Sequence, residues 1–218
     1  MCALALGCQR FGRLGALTNR SSRRRFAARL NSGVRPLIPG DQNLQAIEHA
    51  ARNFEAALAA TKDGSLSHYP LEERELWAMS AWVHFDMART IVAVDSAPLG
   101  IARIMCMAET VSRLFEVKRW YTEKGRASLL AIAERKGIKT NVESSLSAIS
   151  KTTQIGRIDS YAKYRNKIGY HYDKDAITHL ESFVTEPADP YHELLLAFLT
   201  YSRDWAKLVR DTIQASRA

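Results

Sequence analysis

No stretch of this chain approaches the roughly 20 consecutive apolar residues of a membrane span; the longest candidates are broken by His84, Asp86, Arg103 and Glu109. Cysteine is scarce: Cys2, Cys8 and Cys106 are an odd number at no metal-ligand spacing. A disulfide framework or a zinc site is therefore not expected, and a reducing compartment is the natural home. Alternating strand patterns, a Gly-rich phosphate loop, an internal repeat and low-complexity tracts are all missing. Residues 1–40 contain neither an acid nor a lysine, yet hold eight arginines (10, 13, 20, 23, 24, 25, 29 and 35).

That asymmetry decides how the net charge of +8 is read. Removing eight from the 31 basic residues leaves 23, against 23 acids, so residues 41–218 are formally neutral. The excess belongs to the N-terminal segment, and an RNA-binding surface elsewhere has to come from local asymmetry. Residues 1–38 show no sustained helical period and read as a disordered basic tail. Rich in Arg, Ser, Ala and Leu and free of acids, they have the composition of an organellar transit peptide. They equally fit a start site placed too far upstream, with the protein beginning near Val34. A basic RNA-binding arm would want aromatic interleaving, and only Phe11 and Phe26 are there. No charged region precedes the Ala/Leu run as in a secretory signal. The expected location is cytoplasmic, or organellar if the segment is a transit peptide.

From Pro39 onwards the pattern is helical. Asp41 is the expected N-cap, and Leu44, Ile47, Ala51, Phe54 and Leu58 step along one face. Gly64 closes this helix. Pro70 opens the next at its first position, running to about Val94 on Leu76, Met79, Val83, Met87, Ile91 and Val94. Pro98 interrupts, and Ile101, Ile104, Ala108, Val111 and Phe115 define a third helix. A shorter one spans Ala127 to Lys136 before Gly137, and Thr140 with Glu143 forms a capping box for another. After the Arg165 region and a segment from Lys174 to Val184, Asp189 and Pro190 start a last helix. It continues to about Gln214 on Leu194, Leu195, Phe198, Trp205, Leu208 and Ile213. The expected fold class is all-α: an antiparallel helical bundle of about four long helices over 39–218, with additional short helices against it.

One stretch stands apart, Tyr161 to Asp173, which packs an arginine, an amide, a histidine and four tyrosines into thirteen residues. Ile158, Tyr161, Arg165 and Ile168 step 3, 4 and 3, placing Arg165 on the stripe that should be buried. A buried guanidinium costs several kcal/mol, in order of magnitude about 3–5, unless it is paired or faces a cleft. Asp159, Asp173 and Asp175 are the candidate partners for a purely structural arginine. His171 follows six positions later, about 120° round an unbroken helix. The two side chains converge only if the helix breaks, as at Gly169, or if a second copy of the chain supplies the partner.

Arg165-Asn166, four further residues and His171 resemble the R-x(4–6)-H motif of HEPN domains. That family consists of all-helical bundles, many of them metal-independent endoribonucleases of toxin–antitoxin pairs and antiviral defence, others inactive scaffolds. The resemblance implies RNA as substrate, no cofactor or metal, a homodimer that brings two motifs into one cleft, and an antitoxin or nucleotidyltransferase as partner. It assigns His171 to proton transfer, Arg165 to the phosphate and Asn166 to orientation, with Lys167, Tyr164, Tyr170 and Tyr172 as RNA contacts. In the toxins regulated by tyrosine modification a tyrosine lies two places after the histidine. Here Tyr172 follows directly and Asp173 takes that place, so this regulation is not carried over.

Two other readings share the same residues. One is a non-catalytic helical module that binds a partner through the same groove. The other is a metal site drawn from His84, Asp86, His171, Asp175, His179 and Glu181, in which Asp175 and His179 are four apart. The Glu-x-x-His pairs of carboxylate-bridged di-metal bundles are missing.

Overall fold

The computed structural model describes residues 40–62, 68–98, 100–165, 179, 182–183 and 188–215. The N-terminal segment 1–38 lies outside them, as do Gly64 and most of the expected helix from Lys174 to Val184. Among the described residues there are α-helices, a 3-10 helix and no strand. Four helices are long: α1 (Gly40–Lys62), α2 (Leu71–Ser96), α3 (Ile101–Thr122) and, after two shorter ones, α6 (Ala188–Gln214). The shorter pair are α4 (Lys124–Arg135) and α5 (Lys139–Thr153). A 3-10 helix over Ile155–Tyr161 and one α-turn, Ala162–Tyr164, lead into Arg165. Among the described residues no helix is long and apolar enough to cross a membrane.

Cross-helix pairs set the directions. Phe54 stacks on Phe85 while Arg74 reaches the carbonyl of Ala60, so α1 and α2 are antiparallel. Asp86 meets Arg113 and His84 meets Ser202, placing α2 between α3 and α6. Tyr191 bonds the carbonyl of Met107, and Trp205 packs on Trp120 and Tyr121, so α6 runs parallel to α3. The bundle is therefore antiparallel about α2, and the short helices between α3 and α6 carry the chain back to the end where α3 began.

The core follows the stripe expected of α2, α3 and α6, except that Ile101, in the first turn of α3, is exposed. Leu76, Met87, Ile91 and Val94 face Ile104, Ala108, Val111 and Leu114, with Leu194, Leu195, Phe198 and Trp205 completing it. The burial of α1 differs from its pattern. Leu58 is exposed, whereas Ala50, Ala57 and Ala60 are buried, Ala57 against Ala78 and Ala81 of α2 with Phe54 beside it. Small side chains let two helices approach closely along their length, which outweighs presenting the largest apolar residues inward. Where α3 turns into α4, a Cβ at Gly125 would lie 3.0 Å from the carbonyl oxygen of Trp120, so a side chain there would require its neighbours to shift by a few tenths of an ångström.

Several expected helix starts are corrected. α1 already includes Gly40, so Asp41 is inside the helix, and Pro70 is the cap of α2 rather than its first residue. The Thr140–Glu143 capping box does not form: α5 begins at Lys139, with Ile138 at the cap and no side-chain cap bond. The cause lies in the preceding turn. Gly137, at φ 73°, donates to the carbonyl of Glu134, and Ile138 donates to that of Ala133. This six-to-one closure ends α4 and delivers the chain into α5 a residue before Thr140. Helix C-termini are instead tied down from elsewhere by cations. Arg74 donates to Ala60 and Tyr69, Arg103 to Asp95 and Ala97, and Lys136 to Ile213 and Ala215. Each satisfies orphan carbonyls at the negative end of a helix, those of α1, α2 and α6.

Candidate functional site

The approach to Arg165 begins at Gln154, a non-glycine residue at φ 51° that ends α5. The chain then tightens into the 3-10 helix, which has about three residues per turn. Ile155, Ile158 and Tyr161, three apart, consequently share one face, and all are buried. Tyr164 continues that spacing and is 0% exposed. This corrects the stripe of steps 3, 4 and 3, which assumed α-helical geometry. The 3-10 register moves Tyr164 onto the buried line and turns Arg165 off it.

Tyr164 is thereby a packing residue. Its ring lies 4.8 Å from that of Phe183 and its hydroxyl 3.4 Å from Ser182 Oγ, in a cluster completed by Tyr161 and Tyr191. Closed off from solvent, it has no face to offer an RNA base, contrary to the expected RNA contact at Tyr164. Burial and the neighbouring Tyr161 also help hold the Tyr191 hydroxyl well above its ordinary pKa, keeping it a neutral donor to Met107.

Arg165 is half-exposed, its side chain at 38%. Ser112 of α3 donates to its backbone carbonyl at 3.2 Å, which anchors the segment. The guanidinium lies 5.3 Å from the Phe115 ring and donates from Nη2 to Glu116 Oε1 at 2.6 Å. Glu116 is itself 49% exposed and also approaches Arg119 at 3.8 Å. Among the described residues the arginine's partner is thus on α3, forty-nine positions away, and not Asp159; Asp173 and Asp175 lie outside the described residues. Asp159 instead binds Lys118 through both oxygens at 2.7 Å. Nothing in the local spacing signals Ser112, Phe115 or Glu116. Asn166, Lys167, Tyr170, His171 and Tyr172 lie outside the described residues.

The residues of the metal reading do not come together where they are described. Asp86 bridges Arg89 and Arg113 at 2.7 Å each, and His84 Nδ1 lies 2.9 Å from Ser202 Oγ. Asp175 and Glu181 fall outside the described residues, among which no group of three His, Cys, Asp or Glu side chains could hold a metal ion. Ser202 donates its hydroxyl proton to the Leu199 carbonyl, so His84 carries its proton on Nδ1 and donates to Ser202.

Burial, with Arg203 and His49 nearby, lowers the His84 pKa from 6.5 to about 4, Asp204 opposing. The unfolded chain therefore binds a proton there that the folded one refuses. Stability from this group is complete above about pH 6.5 and lost as pH falls towards 4, on the order of 3 kcal/mol in all. In urea titrations His84→Asn, which keeps a donor to Ser202, should flatten the decline in stability between pH 6.5 and 4. An unchanged slope would show that other groups cause it.

The fold defines the class of this protein as an all-α helical bundle. In comparisons with protein-family models, with curated proteins and with solved structures, nothing matches the chain.

Proposed function

We propose that the chain is a metal-independent endoribonuclease of the HEPN type. The observation that carries this reading is the position of Arg165, a guanidinium turned out of the core and held by an exposed carboxylate. Pairs of this kind contribute about 0–1 kcal/mol, so a phosphate, which accepts two parallel guanidinium bonds, can displace Glu116. In the reaction the 2′-hydroxyl attacks the adjacent phosphorus while His171 takes its proton. The 5′-oxygen leaves and gains a proton, and the products are a 2′,3′-cyclic phosphate and a 5′-hydroxyl end. Imidazole suits proton transfer near neutral pH. Arg165 stabilises the charge building on the phosphate oxygens. Asn166 orients the histidine or the substrate, and Lys167, Tyr170 and Tyr172 contact the RNA. Two copies of the chain bring two motifs into one cleft.

The Glu116 pair also favours a second reading, since an arginine already seated on α3 suits a non-catalytic binding module. End-labelled RNA incubated with the protein in EDTA separates the two. Cyclic-phosphate products and a particle of about twice the 24.5 kDa chain mass in light scattering are expected. RNA that is bound but never cut would make the protein a binding module. Cleavage that needs added zinc or manganese would replace the imidazole mechanism with metal chemistry.

A further inference from the structure

The segment leading to Arg165 packs through Tyr161 on Tyr191, at the beginning of α6. Further along the same helix a trough runs between α6, α1 and α2. Its first part is a cavity of about 380 Å³ lined by His49, Trp77, His84, Arg203, Lys207 and Arg210, among others. A second cavity of about 180 Å³ shares Trp77 and Arg210 and adds His68 and Tyr69. None of the described residues lining either cavity is acidic.

Arg203, Lys207 and Arg210 stand at i, i+4 and i+7, hence on one face of α6. They span about 10 Å at about 1.5 Å per residue. Asp204 holds Arg203 at 2.9 Å and Asp211 holds Arg210 at 3.5 Å, but these pairs join sequence neighbours with arginines 65% and 48% exposed. A stronger anion can compete for both. Lys207 has no carboxylate partner among the described residues. Aromatic side chains border this row of charge. Trp77 borders both cavities, and His68 and Tyr69 lie with ring centroids 4.1 Å apart at the far end.

We propose that this trough is a binding track for single-stranded RNA, its phosphates on Arg203, Lys207 and Arg210 and its bases against Trp77 and the His68–Tyr69 pair. A line of cations bordered by rings is the general solution for holding a flexible nucleotide chain, whereas one small phosphate would need a single cluster. The choice of RNA rests on the ribonuclease reading, but the track is a binding site, remote from Arg165 along α6, and is tested without cleavage.

The probe is a fluorescein-labelled eight-nucleotide 2′-O-methyl RNA, which has no hydroxyl to attack the phosphate, titrated into the full-length protein by anisotropy at several salt concentrations. Arg203→Glu/Lys207→Glu should weaken binding at least about tenfold and reduce the salt slope by about 1.4, at about 0.7 per phosphate contact. Arg126→Glu/Lys151→Glu makes the same charge change at exposed positions outside the trough and should alter affinity less than about threefold. The arginines of residues 1–40 are present in both variants, so the difference reports the trough. Lys207→Glu alone, at an exposed position, keeps the test open if the double variant fails to fold. Equal losses in the two double variants would overturn the proposal. So would an abasic oligomer binding as tightly as RNA, or adenosine monophosphate displacing the RNA at equal concentration. Binding that follows this pattern without any cleavage of unmodified RNA would leave the track standing and remove the ribonuclease. Cleavage with KM unchanged in Arg203→Glu/Lys207→Glu would do the reverse.

Discussion

Arg165→Ala and His171→Ala should each lower RNA cleavage about a hundredfold or more while the protein stays folded. Removing one positioned donor from a developing oxyanion costs about 10²–10³ in turnover, and removing the group that transfers the proton costs about 10²–10⁴. The structure limits what Arg165→Ala can do to stability. The anchor from Ser112 is to the backbone carbonyl and survives the substitution. Among the described residues the side chain loses an exposed pair with Glu116, worth about 0–1 kcal/mol, and contact with the Phe115 ring. Arg165→Lys should recover little activity, since a point charge lacks the paired donors. The loss should fall on kcat, as for an interaction made in the transition state, and the wild-type rate should change with pH around the histidine pKa. A variant that unfolds would mark Arg165 as a structural ion. A folded variant that cuts at the wild-type rate would end the ribonuclease reading.

The largest effect on stability is expected at Lys136. Its side chain is only 10% exposed, bonded at 2.8 Å to the carbonyl of Ile213 and 3.4 Å from Glu73, itself 5% exposed. The Glu73 oxygen facing it makes no hydrogen bond, so this contact is charge against charge rather than an aligned donor and acceptor. Lys136→Ala would strand a buried carboxylate and two carbonyls at the end of α6. Breaking a buried pair from one side costs about 3–5 kcal/mol. In a chain of this size that lowers Tm by about 6–20 °C, at about 2–4 °C per kcal/mol. Lys136→Met with Glu73→Leu should recover part of the loss, because no charge is left unpaired, though the α6 carbonyls stay without their donor. Urea midpoints of the three proteins measure this. A cost below about 1 kcal/mol for Lys136→Ala would show that the pair behaves like one in water.

Much of the fold was legible because it rests on periodicity. The apolar stripes of α2, α3 and α6 recur at helical spacing, and burying them against one another leaves a bundle as the economical arrangement. Their expected core residues, from Leu76 to Val94 and from Leu194 to Trp205, are largely the buried ones. Helix ends were less legible. The Thr140 box competes with a turn at Gly137 whose hydrogen bonds close α4 first, and local chemistry does not state which of two starts the preceding helix will deliver. On α1 the expected face holds at Phe54 but not at Leu58, because the contact with α2 is set by alanines that allow the closer approach.

The sequence by itself determined the helical class, the long helices and the unusual chemistry at Arg165, since each depends on residue types at short spacing. The tertiary structure alone decided the rest. The 3-10 register after Gln154 moved Tyr164 into the core and Arg165 out of it, a difference of one residue that α-helical periodicity cannot express. Glu116 became the arginine's partner, Lys136 the cap of α6, and Arg203, Lys207 and Arg210 one wall of a trough completed by Trp77 and His49. These are contacts between residues far apart in the chain. Their energies appear only when packing brings the groups together, and no local pattern encodes which distant carboxylate, carbonyl or ring will be there.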